Sequence, residues 1–259
     1  MKPKIQPSAS KSSLRTIALR DLNRATLARQ MLLAREPRPV PGAVQRLIGL
    51  QAQLPGPPYV GLWTRLSGFQ REDLARRIDE RTIVRAPAMR ATLHLMTAED
   101  YAQFRPLFQP AFLRGLKSFP AERLKGIDFE AMEADGRRCL EAGPRTFTEI
   151  RDYLGRRHPR LDVRMMGHVV RLILPLVQVP GSGAWGFDKE PAFALAEDWL
   201  GRSMAEGGDV RQLVRRYLAV FGPAAARDAQ TWSGMPGLRE VFEAMRPELT
   251  VLMDEKGRE

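Results

Sequence analysis

Thr82-Ile83-Val84-Arg85-Ala86-Pro87 and Met89-Arg90-Ala91-Thr92-Leu93-His94-Leu95-Met96 are two short β-rich runs parted by a turn, and helical patterns precede them. Upstream, Asp21 caps an expected helix whose apolar stripe is Leu22, Ala25, Leu27, Met31 and Leu32. A second helix is expected from about Ala43 to Gln51, with Val44, Leu47, Ile48 and Leu50 inward. A third covers Arg71 to Asp79, with Leu74 and Ile78 on its inner face. Helices followed by a hairpin of this size predict a winged helix, a helix-turn-helix with a β-wing.

The same order recurs twice downstream. Phe129 to Leu140, a segment opening at Thr146-Phe147-Thr148-Glu149-Ile150, and Val163 to Leu174 read as helices. A hairpin of Leu176-Val177-Gln178-Val179 and Ala184-Trp185-Gly186-Phe187 follows, with Gly181 to Gly183 at its tip. In the third round, helices are expected over Ala192 to Leu200, Val210 to Phe221, from Gly222-Pro223 through Trp232, and Gly237 to Met245. Leu249 to Met253 then reads as a strand without a return partner, so further chain is expected after Glu259. The expected fold class is mainly α with short β-hairpins (α+β), as three tandem winged-helix units. The divisions are a disordered basic arm over 1–14, then 15–100, 101–190 and 191–259, the last with an incomplete wing.

Charge narrows the partner. The 259 residues carry a formal net charge of +11, and residues 1–50 hold ten Lys/Arg against two Asp/Glu. Such a chain attracts polyanions, for which double-stranded DNA is the expected occupant. Cys139 is the sole cysteine, and His94, His158 and His168 lack metal-ligand spacing, so neither metal nor cofactor is expected. No secretory signal and no membrane-length apolar run is present, and the expected state is a cytoplasmic, nucleoid-associated monomer.

The run Leu50-Gln51-Ala52-Gln53-Leu54-Pro55-Gly56-Pro57-Pro58 places two neutral amides where a helix has to stop. On a helix, residues i and i+2 diverge by roughly 200°; in extended backbone they share a side. Because Leu54 precedes a proline and is biased away from helix, the helix is expected to end at or just before Gln51. The two amides then converge on one site. Arg46, Arg65, Arg85 and Arg90 are the nearest cations in sequence and the expected phosphate contacts, with His94 as a further DNA-facing residue.

Gln51-Ala52-Gln53, then Tyr59 to Leu66 (Tyr-Val-Gly-Leu-Trp-Thr-Arg-Leu), then Arg90-Ala91-Thr92-Leu93-His94-Leu95, together resemble the AlkZ/YcaQ-type winged-helix DNA glycosylases, the helix-turn-helix 42 family. The resemblance runs from about Leu14 to the end, and Asp254 to Glu259 corresponds to the point where family members continue into a C-terminal β-rich domain. It implies hydrolysis of the N-glycosidic bond of alkylated purines, including interstrand crosslinks through guanine N7. It also implies catalytic roles for Gln51 and Gln53, in the Gln–apolar–Gln branch rather than the branch with Asp at the second position. The competing reading is a tandem winged-helix DNA-binding protein without chemistry, a regulator or a degenerate relative, which the charge explains equally well. A weaker third is a scaffold for protein partners.

Overall fold

The computed structural model describes residues 14–259. The basic arm expected over 1–14 therefore lies, up to Ser13, outside the described residues. The chain begins with β1 (Arg15–Ile17) and α1 (Leu19–Arg29), followed by α2 (Val40–Arg46), β2 (Leu50–Gln51), α3 (Pro57–Trp63) and α4 (Arg71–Asp79). A hairpin of β3 (Ile83–Pro87) and β4 (Leu93–Thr97) leads into α5 (Ala98–Lys117), α6 (Ala121–Leu124), α7 (Phe129–Glu141), β5 (Arg145–Thr146), α8 (Phe147–Arg157) and α9 (Val163–Ile173). The remainder is β6 (Leu176–Gln178), β7 (Ala192–Leu195), α10 (Ala196–Leu200), α11 (Val210–Phe221), α12 (Ala226–Ser233), α13 (Leu238–Met245) and β8 (Leu252–Asp254). The architecture is α+β and mainly helical, as expected.

Side-chain caps start several of these helices. At α8, Thr146 Oγ1 accepts the Glu149 N–H while Glu149 returns a carboxylate to the Thr146 N–H, 2.7 Å away. At α11, Asp209 accepts the N–H groups of Arg211 and Gln212. At α4, Asp73 accepts the Gln70 N–H at 2.9 Å, and Leu74 and Ile78 are buried on its inner face.

Six strands make one antiparallel sheet in the order β2-β4-β3-β6-β7-β5, and β3 meets β6 with Arg85 opposite Gln178. The expected hairpins are thus continuous across the boundary set at residue 100. The cores do not follow the expected boundaries either. One core runs from Met31 and Val44 through Phe104 and Phe108 to Leu213, Val220 and Met245, joining the first and last stretches. A second gathers Met132, Ile150, Leu154, Met166, Val169 and Val170 with Leu176 and Phe193.

Four local expectations are corrected. The second hairpin's return strand is Ala192–Leu195, not Ala184 to Phe187, and only Ala196–Leu200 of the expected helix is helical. An apolar Ala-Phe-Ala-Leu run fits either state, and pairing with β6 decides it. The helix expected from Pro223 begins at Ala226, where Asp228 accepts the Ala225 N–H. The expected first stripe does not form one buried helix face: α1 ends at Arg29 with none of its residues fully buried and Leu27 42% exposed, and only Met31, beyond the helix, enters the core. Finally, the strand expected to lack a partner pairs in parallel with β1, Thr16 opposite Met253.

Candidate nucleic-acid interface and glutamine site

The helix before the glutamines stops earlier than expected, at Arg46 rather than near Gln51. Two backbone positions with positive φ turn the chain: Ile48 at 59° and Gly49 at 110°. The Ile48 N–H donates to Gln45 O and the Gly49 N–H to Val44 O, the paired bonds of a Schellman stop. Ile48 is fully buried, so core packing holds a β-branched residue in a left-handed conformation that it otherwise avoids. At Gly49 a side chain has no room, because a Cβ there would lie 2.8 Å from the Leu95 carbonyl oxygen.

The chain emerges extended as the edge strand β2. Leu50 pairs with Leu95 and Gln51 with His94, and the Ala52 N–H donates to Leu93 O at 2.7 Å. Strand alternation then sorts the side chains: Ala52 is fully buried, while Gln51 and Gln53 are exposed on the opposite face. The amides differ in what they have left to offer. Gln53 Oε1 accepts the Leu93 N–H at 3.3 Å, which fixes the amide's orientation and leaves its NH2 group as two donors. Gln51 makes no side-chain hydrogen bond among the described residues and keeps both an acceptor and donors. Together they present an acceptor and donors on one face of a strand edge, a combination able to orient a small polar species such as water.

Arg85 is the residue that sequence spacing misassigned. Expected at a phosphate, it is 5% exposed and spends its guanidinium inside the protein. Nε donates to Ala52 O at 2.9 Å, Nη2 to Gln53 O at 3.0 Å and Nη1 to Gln178 Oε1, with the Phe187 ring 5.1 Å from the guanidinium carbon. Burial pushes its pKa down to about 10, which leaves it charged at neutral pH. All five residues of its strand are buried, and a buried charge requires partners. His94 is also buried, at 4% exposed, rather than DNA-facing. Its Nδ1 lies 2.9 Å from Thr92 O, and burial, with a smaller effect of Arg90, pushes its pKa down to about 4. A neutral ring must therefore donate from Nδ1, leaving Nε2 as the acceptor.

The other expected DNA contacts are nearer the surface. Arg46 is half-buried and donates one bond, from Nε to Arg29 O. Arg65 is more committed, with Nε on Gln30 O and Nη1 on Gly61 O. Exposed Arg90 gives Nη1 to Trp232 O, which ties the β3–β4 turn to α12.

The segment expected to form a hairpin tip and strand instead packs on the turn and helix that follow Gln53. Between β6 and β7, Trp185 lies over Gly56, where an added Cβ would sit 3.3 Å from the indole. Its ring centroid is 5.1 Å from that of Tyr59, whose hydroxyl donates to Trp185 O, and the Arg71 guanidinium carbon is 4.8 Å from the indole centroid. Downstream of Gln53 in the chain, Leu54, Val60 and Trp63 are exposed, and the Arg35 guanidinium carbon lies 4.1 Å from the Trp63 ring centroid. Apolar side chains rimmed by arginines suit a surface that meets stacked bases and phosphates.

Comparison with known proteins adds a family. The model of a family described as DNA glycosylase AlkZ-like matches residues 44–259. The interstrand DNA cross-link repair glycosylase of Streptomyces sahachiroi is 25% identical over 246 residues, covering 86% of this chain and 64% of that protein. The chain thus spans a little under two thirds of that relative's length. The solved structure of Streptomyces sahachiroi DNA glycosylase AlkZ shares the fold, with a TM-score of 0.70 at 20% identity over 94% of this chain and 69% of that one.

Proposed function

The chain belongs to the AlkZ-like DNA glycosylase family, and from that premise we propose that it hydrolyses the N-glycosidic bond of N7-alkylated purines in duplex DNA, interstrand crosslinks included, with Gln51 and Gln53 holding the attacking water. Duplex DNA is the partner, met by a nucleoid-associated monomer without metal or cofactor. The stretches 15–100, 101–190 and 191–259 are taken as winged-helix units that share cores rather than as separate modules. The observation that carries this reading is the alternation of exposed Gln51, buried Ala52 and exposed Gln53 on an edge strand.

An N7-alkylguanine is already cationic and departs as a neutral base, so the leaving group needs no strong acid, unlike an ordinary glycoside. What remains is to place water against a sugar developing oxocarbenium character. Gln51 Oε1 accepts a hydrogen from that water, and the Gln53 NH2 donates to its oxygen. Neither amide titrates near neutral pH, so rate enhancement comes from position and fixed dipoles rather than from proton transfer. Uncharged purines, which are poorer leaving groups, are spared.

The test is incubation with duplex carrying N7-methylguanine or an N7-linked crosslink, scored by abasic sites. Release by the wild type and its loss in Gln51→Ala/Gln53→Ala are the expected outcomes. No release, with salt-dependent duplex binding retained, would replace the enzyme by a DNA-binding protein without chemistry. Release that survives the double substitution would move the site elsewhere.

A further inference from the structure

Arg85 stands where a merely structural arginine is not required. Its three donor positions take one acceptor each, and two of these are the successive carbonyls of Ala52 and Gln53, the residues that separate and carry the amides. Turned toward Arg85, the Ala52 carbonyl does not accept the Leu93 N–H, although the Ala52 N–H donates to Leu93 O. β2 accordingly ends at Gln51, and the Leu93 N–H finds its acceptor in Gln53 Oε1 instead of in backbone. The third donor reaches Gln178, which is 5% exposed on β6 and so belongs to the other side of the sheet's central junction. A continuous chain of contacts therefore runs from Gln178 Oε1 through the Arg85 guanidinium to the Gln53 carbonyl, and from the Gln53 amide to the Leu93 N–H.

We propose that Arg85 is a positioning residue for the glutamine pair, aiming the Gln53 NH2 group outward, and that Gln178 sets Arg85 in turn. This rests on the reading of Gln51 and Gln53 as the water-holding pair. The guanidinium fork is essential to the role. A lysine keeps the charge but presents a single tetrahedral head that cannot hold both carbonyls and Gln178 in one plane.

The experiment compares Arg85→Lys, Gln178→Leu and Gln178→Glu with Arg105→Lys as the control. Arg105 is an equally buried arginine, 2% exposed, that serves the Leu172 carbonyl and Gln109 far from the glutamines. Steady-state base release, giving kcat and KM, and amide hydrogen exchange at Leu93 are read on the full chain. For Arg85→Lys, kcat should fall about 100-fold, the loss a displacement of about 1 Å causes, while KM for the duplex stays within about threefold. Leu93 exchange should quicken at least tenfold, by that estimate about 1.4 kcal/mol of lost protection, while amides of the β3–β4 ladder stay protected. Gln178→Leu should act in the same direction by roughly tenfold, and Gln178→Glu, which keeps the acceptor, should restore most of it. Arg105→Lys should lower Tm without moving either readout. Unchanged Leu93 exchange in Arg85→Lys overturns the proposal, as does an equal loss of kcat in Arg105→Lys. If the wild type releases no base, the proposed function fails, and Leu93 exchange still decides whether Arg85 sets Gln53.

Discussion

Gly49→Ala places a methyl group where two independent penalties coincide. The backbone sits at φ 110°, outside the narrow left-handed region open to L-residues, which costs roughly 1–3 kcal/mol. The new Cβ would also lie 2.8 Å from the Leu95 carbonyl oxygen and 2.9 Å from Met96 Cγ. The methionine side chain can move aside, but the carbonyl belongs to the strand that pairs with Gln51's own. Relief therefore requires β2 to slide away from β4 at the Leu50–Leu95 pair. Together these make a loss of about 3 kcal/mol, or a fall in Tm of about 6–12 °C for a chain of this size. Because the displaced residues carry Gln51, base release at a temperature where the variant is folded should fall about 100-fold. Calorimetry and single-turnover kinetics on the same preparation check both numbers. A variant with Tm within 2 °C of wild type and release within twofold would refute the claim that the Ile48–Gly49 stop sets the glutamines.

Other perturbations separate structural from binding roles. His94 is buried neutral, with its pKa lowered from 6.5 to about 4. Its contribution to stability is whole above pH 6.5 and is lost as pH falls through about 4, because the unfolded chain takes up the proton first. The difference is roughly 3 kcal/mol. Urea melts of wild type and His94→Gln should therefore converge between pH 6.5 and 4, and parallel curves would disprove it. Arg46→Ala, which removes a half-buried cation with one internal bond, should lower the salt slope of duplex binding by about one, whereas Arg65→Met should lower Tm and leave the slope alone. Burial alone would raise the pKa of Asp135, but bonds from His158 and Arg157 outweigh it and hold the carboxylate below its usual range. Asp135→Asn should cost about 2–4 kcal/mol in denaturant melts while leaving base release unchanged at 25 °C.

Much of the fold was legible because local signals agreed with one another. The helix expected over Arg71 to Asp79 and the one expected to open at Thr146 start at those residues in the structure. The Ile83–Thr97 hairpin needed only β-rich runs around a turn. The outward alternation of Gln51 and Gln53 followed from the prolines, although the helix stop lay five residues earlier than expected at the latest, set by burial of Ile48. What stayed hidden depended on distant partners. Neither the Arg85 contacts with Gln178 and the Ala52 and Gln53 carbonyls, nor Trp185 over Gly56, has a local signature, since each joins elements far apart in the chain. Arg85 and His94 looked like DNA contacts because charge and polarity in sequence do not reveal depth.

The parallel pairing of β1 with β8 fixes an order in time. Leu19, just past β1, donates to Glu255 across 236 positions of sequence. At roughly 5–20 residues per second of synthesis, that partner arrives on the order of 10–50 s after Leu19 has been made. Through that interval α1, whose Leu19 and Leu27 are exposed even in the finished fold, also lacks α11, the helix it packs against. The β2–β4 ladder, by contrast, is formed wholly between residues 50 and 97. The α1 segment thus docks only after most of the chain is made, whereas the two strands of the ladder that carries Gln51 lie close together in sequence.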